Sequence, residues 1–255
     1  MLNLISKAFL FFLFLTGPRP LQDHLPVKGY KLVWSDEFDG AVLDRTKWSY
    51  RGSGKRDDAY LSPSAIRQDG KGYLIIETRQ SGDSILTGMI GTNGLFEIRY
   101  GYFECRASLT NTKGLYPAFW LQSPKIAEER GGPAANGAEL DIFEYFPNLR
   151  KDAVAHTLHY GGYGASHQVA GPIWGSLQAT KDGFHTFALE WTPSGYTTFV
   201  DGIPTYKGNT HISRVPEFIV LSLGVNQLAA GPLDKNALPD RFVIDYVRVY
   251  QKRAR

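Results

Sequence analysis

The 255-residue chain has one cysteine, Cys105, so no intramolecular disulfide and no CxxC metal or redox pair can form. A lone Cys within a strand-like run reads as a small buried hydrophobe. Charge of one sign is also lacking. The formal net charge is only +3, and Lys and Arg are scattered rather than gathered on an arm or a helix face, which argues against nucleic acid as a partner. There is no internal repeat, and no Pro-, Ser- or Gly-rich linker divides the interior. Helical periodicity is almost absent; the one plausible helical turn is "IAEER", Ile126–Arg130. No apolar run approaches the ~20 residues that span a bilayer.

Export is nonetheless expected. In "MLNLISKAFLFFLFLTGPRP", Lys7 precedes an apolar block from Ala8 to Leu15, the pattern of a secretory signal peptide. Residues 1–20 are therefore set apart, with a buried N-terminal segment as the other reading. Residues 21–255 are read as a single domain.

Aromatic residues are plentiful, at 13% of the chain. Aromatics favour strands and also form platforms for flat ligands such as sugar rings. Strand-like runs recur throughout, including Tyr30–Trp34, Gly72–Arg79, Ile85–Ile90, Leu95–Leu109, Leu115–Gln122, Ala138–Phe146 and Ala153–Tyr160. They continue with Phe184–Trp191, Tyr196–Val200, Glu217–Val225 and Phe242–Tyr250, separated by turn signals such as "QDGKG" and "TPSG". Many short strands between turns predict an all-β sandwich or barrel. The stretch "GGYGASHQVAGPIWG", Gly161–Gly175, reads as a surface loop beside a site.

The densest chemistry lies in "GAELDIFEYF", with Glu139, Asp141 and Glu144 inside six positions. Strict alternation puts Glu139 and Asp141 on one face and Glu144 on the other. A β-bulge at Ile142-Phe143 would return Glu144 to the face of the first two. The outer Cα atoms would then lie roughly 13–15 Å apart, close enough for inward-leaning side chains to flank one bond. That spacing allows both the ~5–5.5 Å carboxyl separation of retaining glycosidases and the about 6.5–9.5 Å of inverting ones. Three carboxylates in one cleft cannot all ionise cheaply, so at least one should hold its proton and serve as an acid. A solvated strand face and a metal site are the competing readings.

The motif "ELDIFE" resembles the E-x-D-x-x-E signature of glycoside hydrolase family 16, in its bulged branch. Blocks in the same order extend the resemblance over residues 32–251: "LVWSDEFDG", "FEIRYGYFECRAS", "GLYPAFWLQ", "HTLHYGG", "DGFHTFALEWTPSGYTTFVDG" and "DYVRVYQ". The resemblance implies a β-sandwich jelly roll with a concave cleft. It also implies a secreted, retaining endo-β-glycanase with Glu139 as nucleophile, Glu144 as general acid/base and Asp141 assisting. It points further to Trp120, Tyr116, Trp191, His159 and Arg99 as substrate contacts. Core packing competes for the aromatics, a structural hydrogen bond for His159 and a surface ion pair for Arg99. No cofactor is expected for catalysis, but a structural calcium is implied at Glu37, the Gly72 carbonyl and Asp245; a surface ion pair is the other reading of Asp245.

The expected substrate is a polysaccharide, first β-1,3- or mixed β-1,3/1,4-glucan, met by a monomer. The stretch "LSLGVNQLAAGPLDKNALPD" departs from the family's laminarinase-type run, and the loop "GGYGASHQVAG" is atypical, so the choice of sugar is open. A galactan of the agarose or carrageenan kind, transglycosylation, and a non-catalytic carbohydrate-binding jelly roll are the alternatives. The xyloglucan-active branch, with its unbulged motif, is disfavoured.

Overall fold

Two runs, "LYPAFWLQ" and "FIVLSLGV", are buried at every position, whereas a half-solvated strand would alternate. Both must be central strands covered on both faces, one face by the core and the other by a populated cleft floor. The structure, a computed structural model, describes residues 27–128 and 132–253. The segment read as a signal peptide lies outside them.

Eighteen strands follow in chain order among the described residues. The first nine are β1 (Tyr30–Asp36), β2 (Ser49–Tyr50), β3 (Gly54–Arg56), β4 (Ala59–Leu61), β5 (Ile66–Gln68), β6 (Leu74–Ser81), β7 (Ser84–Thr87), β8 (Met89–Gly91) and β9 (Gly101–Ser108). They continue as β10 (Leu115–Gln122), β11 (Glu139–Glu144), β12 (Ala153–Tyr160), β13 (Gln168–Ser176), β14 (His185–Thr192), β15 (Gly195–Val200), β16 (Ile203–Gly208), β17 (Phe218–Val225) and β18 (Asp240–Lys252). Two short helices, α1 (Gly132–Asn136) and α2 (Gln227–Ala230), complete the regular structure apart from brief 3-10 turns.

The strands form two sheets. The inner sheet has the order β13-β12-β11-β10-β17-β8-β2. The outer sheet runs β16-β15-β14-β9-β18-β6-β7-β4-β3, with β1 added on β18 and β5 on β6. Pairing is antiparallel except between β4 and β7. This is the expected all-β jelly-roll sandwich. One core lies between the sheets, where Phe143 of β11 meets Phe187 of β14 at 3.9 Å between ring centroids and Phe242 of β18 edge-on. Burying such rings stabilises the sandwich by about 3–5 kcal/mol each, judged by the cost of truncating them.

Several boundaries differ from the sequence reading. Leu95–Leu109 is a strand only from Gly101; before it, Ile98 makes an isolated bridge to Glu217. The helical turn falls at Gly132–Asn136 rather than at Ile126, which sits in a turn bonded to Ser123. The second half of the Gly161–Gly175 loop is strand β13, paired with β12. Its glycines and proline obscured a strand that lies at the edge of the sheet, where fewer ladder bonds are needed.

Candidate active site

The site is built on β11 and its neighbours. Leu140, Ile142 and Phe143 all enter the core between the sheets, although two of them are adjacent. The register explains how. Asp141 faces Thr157 and Glu144 faces Ala155, so Ile142 and Phe143 together oppose the single residue His156. This is the expected bulge, and Glu144 joins Glu139 and Asp141 on the concave face.

A bulge leaves a carbonyl without its ladder partner. Here His156 supplies one: its Nδ1–H donates to the Ile142 carbonyl at 2.6 Å. Thr205 holds the other ring nitrogen at 2.9 Å. Burial lowers the His156 pKa, which keeps the imidazole neutral and able to donate on one side and accept on the other. His156 was not among the expected site residues. Its signal is its position opposite the odd residue of the motif.

His159, three residues on, is on the concave face. Its Nε2 lies 3.3 Å from Asp141 Oδ2 and 4.0 Å from Glu139 Oε1. Its Nδ1 meets His167 Nε2 at 3.0 Å, the two rings stacked nearly parallel. One donor atom each from Glu139, Asp141 and His159 lie within 4.8 Å of one another, a set that could also receive a divalent cation.

The three acids differ in environment. Burial is the first cause raising the pKa of Asp141, and the neighbouring Glu139 charge adds to it. Burial likewise raises Glu144, reinforced by Asp141 and opposed by His159. Both therefore favour the protonated form. Glu139 is held instead by donors: the Tyr163 hydroxyl donates to Oε2, and the Gln122 amide donates to the same oxygen at 3.3 Å. One carboxyl kept protonated beside one kept as an acceptor is the division of labour that acid–nucleophile chemistry needs.

The floor beside the acids is aromatic and apolar. Trp120 packs with Met89, Ala118, Phe218 and Val220, and its indole N–H donates to Ser222 at 3.1 Å. Tyr116 stacks on Phe146 at 5.5 Å and passes over Gly224, where any Cβ would strike its ring. Both lie on the concave side, as expected.

Two expected substrate contacts do not. Trp191 is 0% exposed and donates its indole N–H to the Ser213 carbonyl at 3.2 Å. It belongs to β14 of the outer sheet and packs in the core between the sheets, with an edge on an outer-sheet groove rather than on the concave face of the acids. Arg99 is also remote from the acids. It donates to the Arg214 carbonyl at 3.2 Å and lines an outer-sheet groove with Tyr30, Ser194 and Lys252.

Two members of the implied calcium set are engaged by arginines. Both Glu37 oxygens accept from Arg248, at 2.9 and 2.8 Å, and Asp245 accepts from Arg106. A cation there would have to displace two guanidinium groups.

Sequence reasoning missed Arg51, Arg56, Gln122 and Tyr163. The first two come from β2 and β3 and the turn between them, too short to show a pattern. Tyr163 sits between glycines in the loop "GGYG", the one visible signal.

The model of glycosyl hydrolases family 16 matches residues 60–248. A β-glucanase of Rhodothermus marinus is 31% identical over 248 aligned positions, covering 87% of this chain and 85% of that one. A keratan-sulfate endo-1,4-β-galactosidase of Sphingobacterium multivorum is 28% identical; the match covers 87% of this chain and 55% of that larger protein. Among solved structures, the laminarinase from Rhodothermus marinus superposes with a TM-score of 0.76 at 28% identity, covering 88% of this chain and 98% of that one. The matched span contains β11, its bulge and all three acids, and the chain belongs to glycosyl hydrolases family 16 and is a glycoside hydrolase.

Proposed function

We propose that this protein cuts internal bonds of β-1,3- or mixed β-1,3/1,4-glucan with retention of configuration. The observation that carries the reading is the bulge that gathers Glu139, Asp141 and Glu144 on one concave face, beside an aromatic floor. The similarity to a β-glucanase and to laminarinases supports the choice of glucan.

In this reading Glu144 protonates the departing glycosidic oxygen. Its half-buried position, where desolvation raises its pKa, suits a group that must carry a proton near neutral pH. Glu139 attacks the anomeric carbon and forms a glycosyl-enzyme. Glu144, now ionised, takes a proton from water, and the water oxygen displaces Glu139 from the sugar. Asp141 stands between the two. His159 bonds it on the side facing Glu139 and so fixes the orientation of the set. Trp120 and Tyr116 supply the surface under the sugars. Residues 1–20 act as the export signal, which N-terminal sequencing of the exported protein would test.

The test of activity is release of reducing ends, with product sizing, on laminarin, lichenan, agarose and carrageenan. Internal cuts in laminarin or lichenan are the expected result. Cleavage confined to agarose or carrageenan would replace the glucan assignment with a galactan one. Inverted anomeric products would overturn the nucleophile assigned to Glu139.

A further inference from the structure

Two guanidinium groups lie in the cleft with no carboxylate hydrogen-bonded to either among the described residues. Arg51 follows β2. Its side chain crosses Gly91, where a Cβ would come within 2.6 Å of its Cδ, and it rests on the Phe218 ring at 4.7 Å. It donates to the side-chain carbonyl oxygens of Gln122, at 2.9 Å, and Asn93, at 3.5 Å, both neutral. Its Nε is buried with no hydrogen-bond partner among the described residues. Arg56 ends β3. It touches the Met89 sulfur at 2.7 Å and reaches over Trp120 at 6.0 Å. The one ion pair it makes among the described residues is with Asp57, at 3.9 Å and partly exposed.

Their neutral surroundings could mean that the arginines only offset the acids of β11. Contacts argue otherwise, since neither guanidinium is hydrogen-bonded or ion-paired to Glu139, Asp141 or Glu144 among the described residues. The charge balance argues the same way. Burial is the largest cause acting on Asp141 and Glu144 and holds both towards their neutral forms against the smaller pull of Arg56, so the acids do not fully occupy the two arginines. Burial is the first cause that lowers the Arg51 pKa and repulsion from Arg56 the second, with Tyr163 and Glu139 acting against them. A part-buried guanidinium beside a second, more exposed one on the floor of a binding cleft offers paired donors to an anion that comes between them. Guanidinium forks suit a planar or tetrahedral oxyanion, which they can bind through paired N–H donors.

We infer that Arg51 and Arg56 recognise an anionic substituent on the glycan, an ester sulfate or a carboxylate, on the β2–β8 side of the three acids. This rests on the reading of the cleft as a β-glycanase site, and it extends the substrate class from neutral to acidic β-glycans. The neutral chain stacks on the aromatic floor, while the substituent is drawn between the two guanidinium groups.

The test uses three ligands of one backbone: oligosaccharides of laminarin left neutral, partly sulfated, or oxidised at C6 to carboxylate. Binding to the full chain carrying Glu144→Gln is measured by calorimetry, and turnover is measured on the unaltered protein. At least one acidic ligand is expected to bind about tenfold more tightly than the neutral one, and 0.5 M NaCl should erase about that advantage. Whichever acidic ligand shows the gain identifies the group. Arg51→Gln and Arg56→Gln, each added to Glu144→Gln, should remove the gain and leave neutral binding within about threefold, which also verifies that the variants fold. Equal binding of all three ligands, or equal losses on neutral and acidic ligands in the arginine variants, would overturn the inference. Failure of the unaltered protein to cut any of the three would instead count against the glucanase reading, since the binding comparison does not depend on turnover.

Discussion

The two sheets use carboxylates in opposite ways. On the outer sheet and its edges, the acids are tied to partners that leave them no chemistry. Glu37 is gripped by both arms of Arg248, Asp245 and Asp182 share Arg106, and Glu77 pairs with Arg241. Glu104 is buried and accepts from the hydroxyls of Tyr102 and Tyr246. On the inner sheet, Glu139 is bonded by neutral donors and Asp141 by a histidine, and no arginine or lysine is in hydrogen-bond contact with Glu139, Asp141 or Glu144 among the described residues. The same residue type is structural where a cation neutralises it and reactive where burial and a like charge leave its proton poised.

The sharpest way to break this contrast is to remove the reactive side alone. Glu139→Gln and Glu144→Gln should each lower kcat on a cleaved glucan by at least ~10³-fold, because each deletes a chemical role rather than a contact. Thermal unfolding of both should stay close to that of the unaltered protein. Turnover near the original in either variant would end the assignment.

The reciprocal experiment is on the outer sheet. Arg248→Met should cost about 2 kcal/mol of stability, at the low side for a buried pair because Glu37 is partly exposed. Denaturant unfolding measures it, and kcat of the folded fraction should not change.

Within the inner sheet, Tyr163→Phe removes the hydroxyl that donates to Glu139 and spares the ring. A charge-assisted bond of this kind predicts a fall in kcat of about tenfold, with KM changed less. An equal rise in KM at constant kcat would make Tyr163 a substrate contact instead.

The smallest effect belongs to Glu217, a buried acid at the seam between the two patterns. It accepts from the Ala138 amide at 3.0 Å, just before β11, and its other oxygen is buried without a partner among the described residues. Burial is the first cause that raises its pKa, to about 8. Between the ordinary carboxylate range and that value the folded state binds the proton that the unfolded state releases. Stability therefore falls as pH rises across that window. Glu217→Gln should flatten this fall, seen as a smaller drop in Tm between pH 5 and 8.

Particular residues mark how far the sequence could be read. The motif "ELDIFE" carried the bulge in its own spacing, because three acids and three apolar residues fit two faces only if one residue is extra. β10 and β12 were legible to the residue, since long apolar runs bounded by turn residues leave little choice of register. Trp191 shows the limit. Alternation places it opposite Glu190, but nothing local says whether that face of β14 meets the core or a cleft. Arg51, Arg56 and Tyr163 were invisible for another reason: they enter the cleft of the acids from segments separated in sequence by tens of residues.

The sequence by itself determined the all-β class, the position of the bulge and the identity of the three acids. These follow from local alternation and side-chain type, which act over a few residues. Which acids meet a guanidinium, which aromatics line the cleft, and where the two cleft arginines lie were decided by tertiary structure alone. Those outcomes depend on which strands become neighbours, and neighbours are chosen by the packing of the whole sandwich.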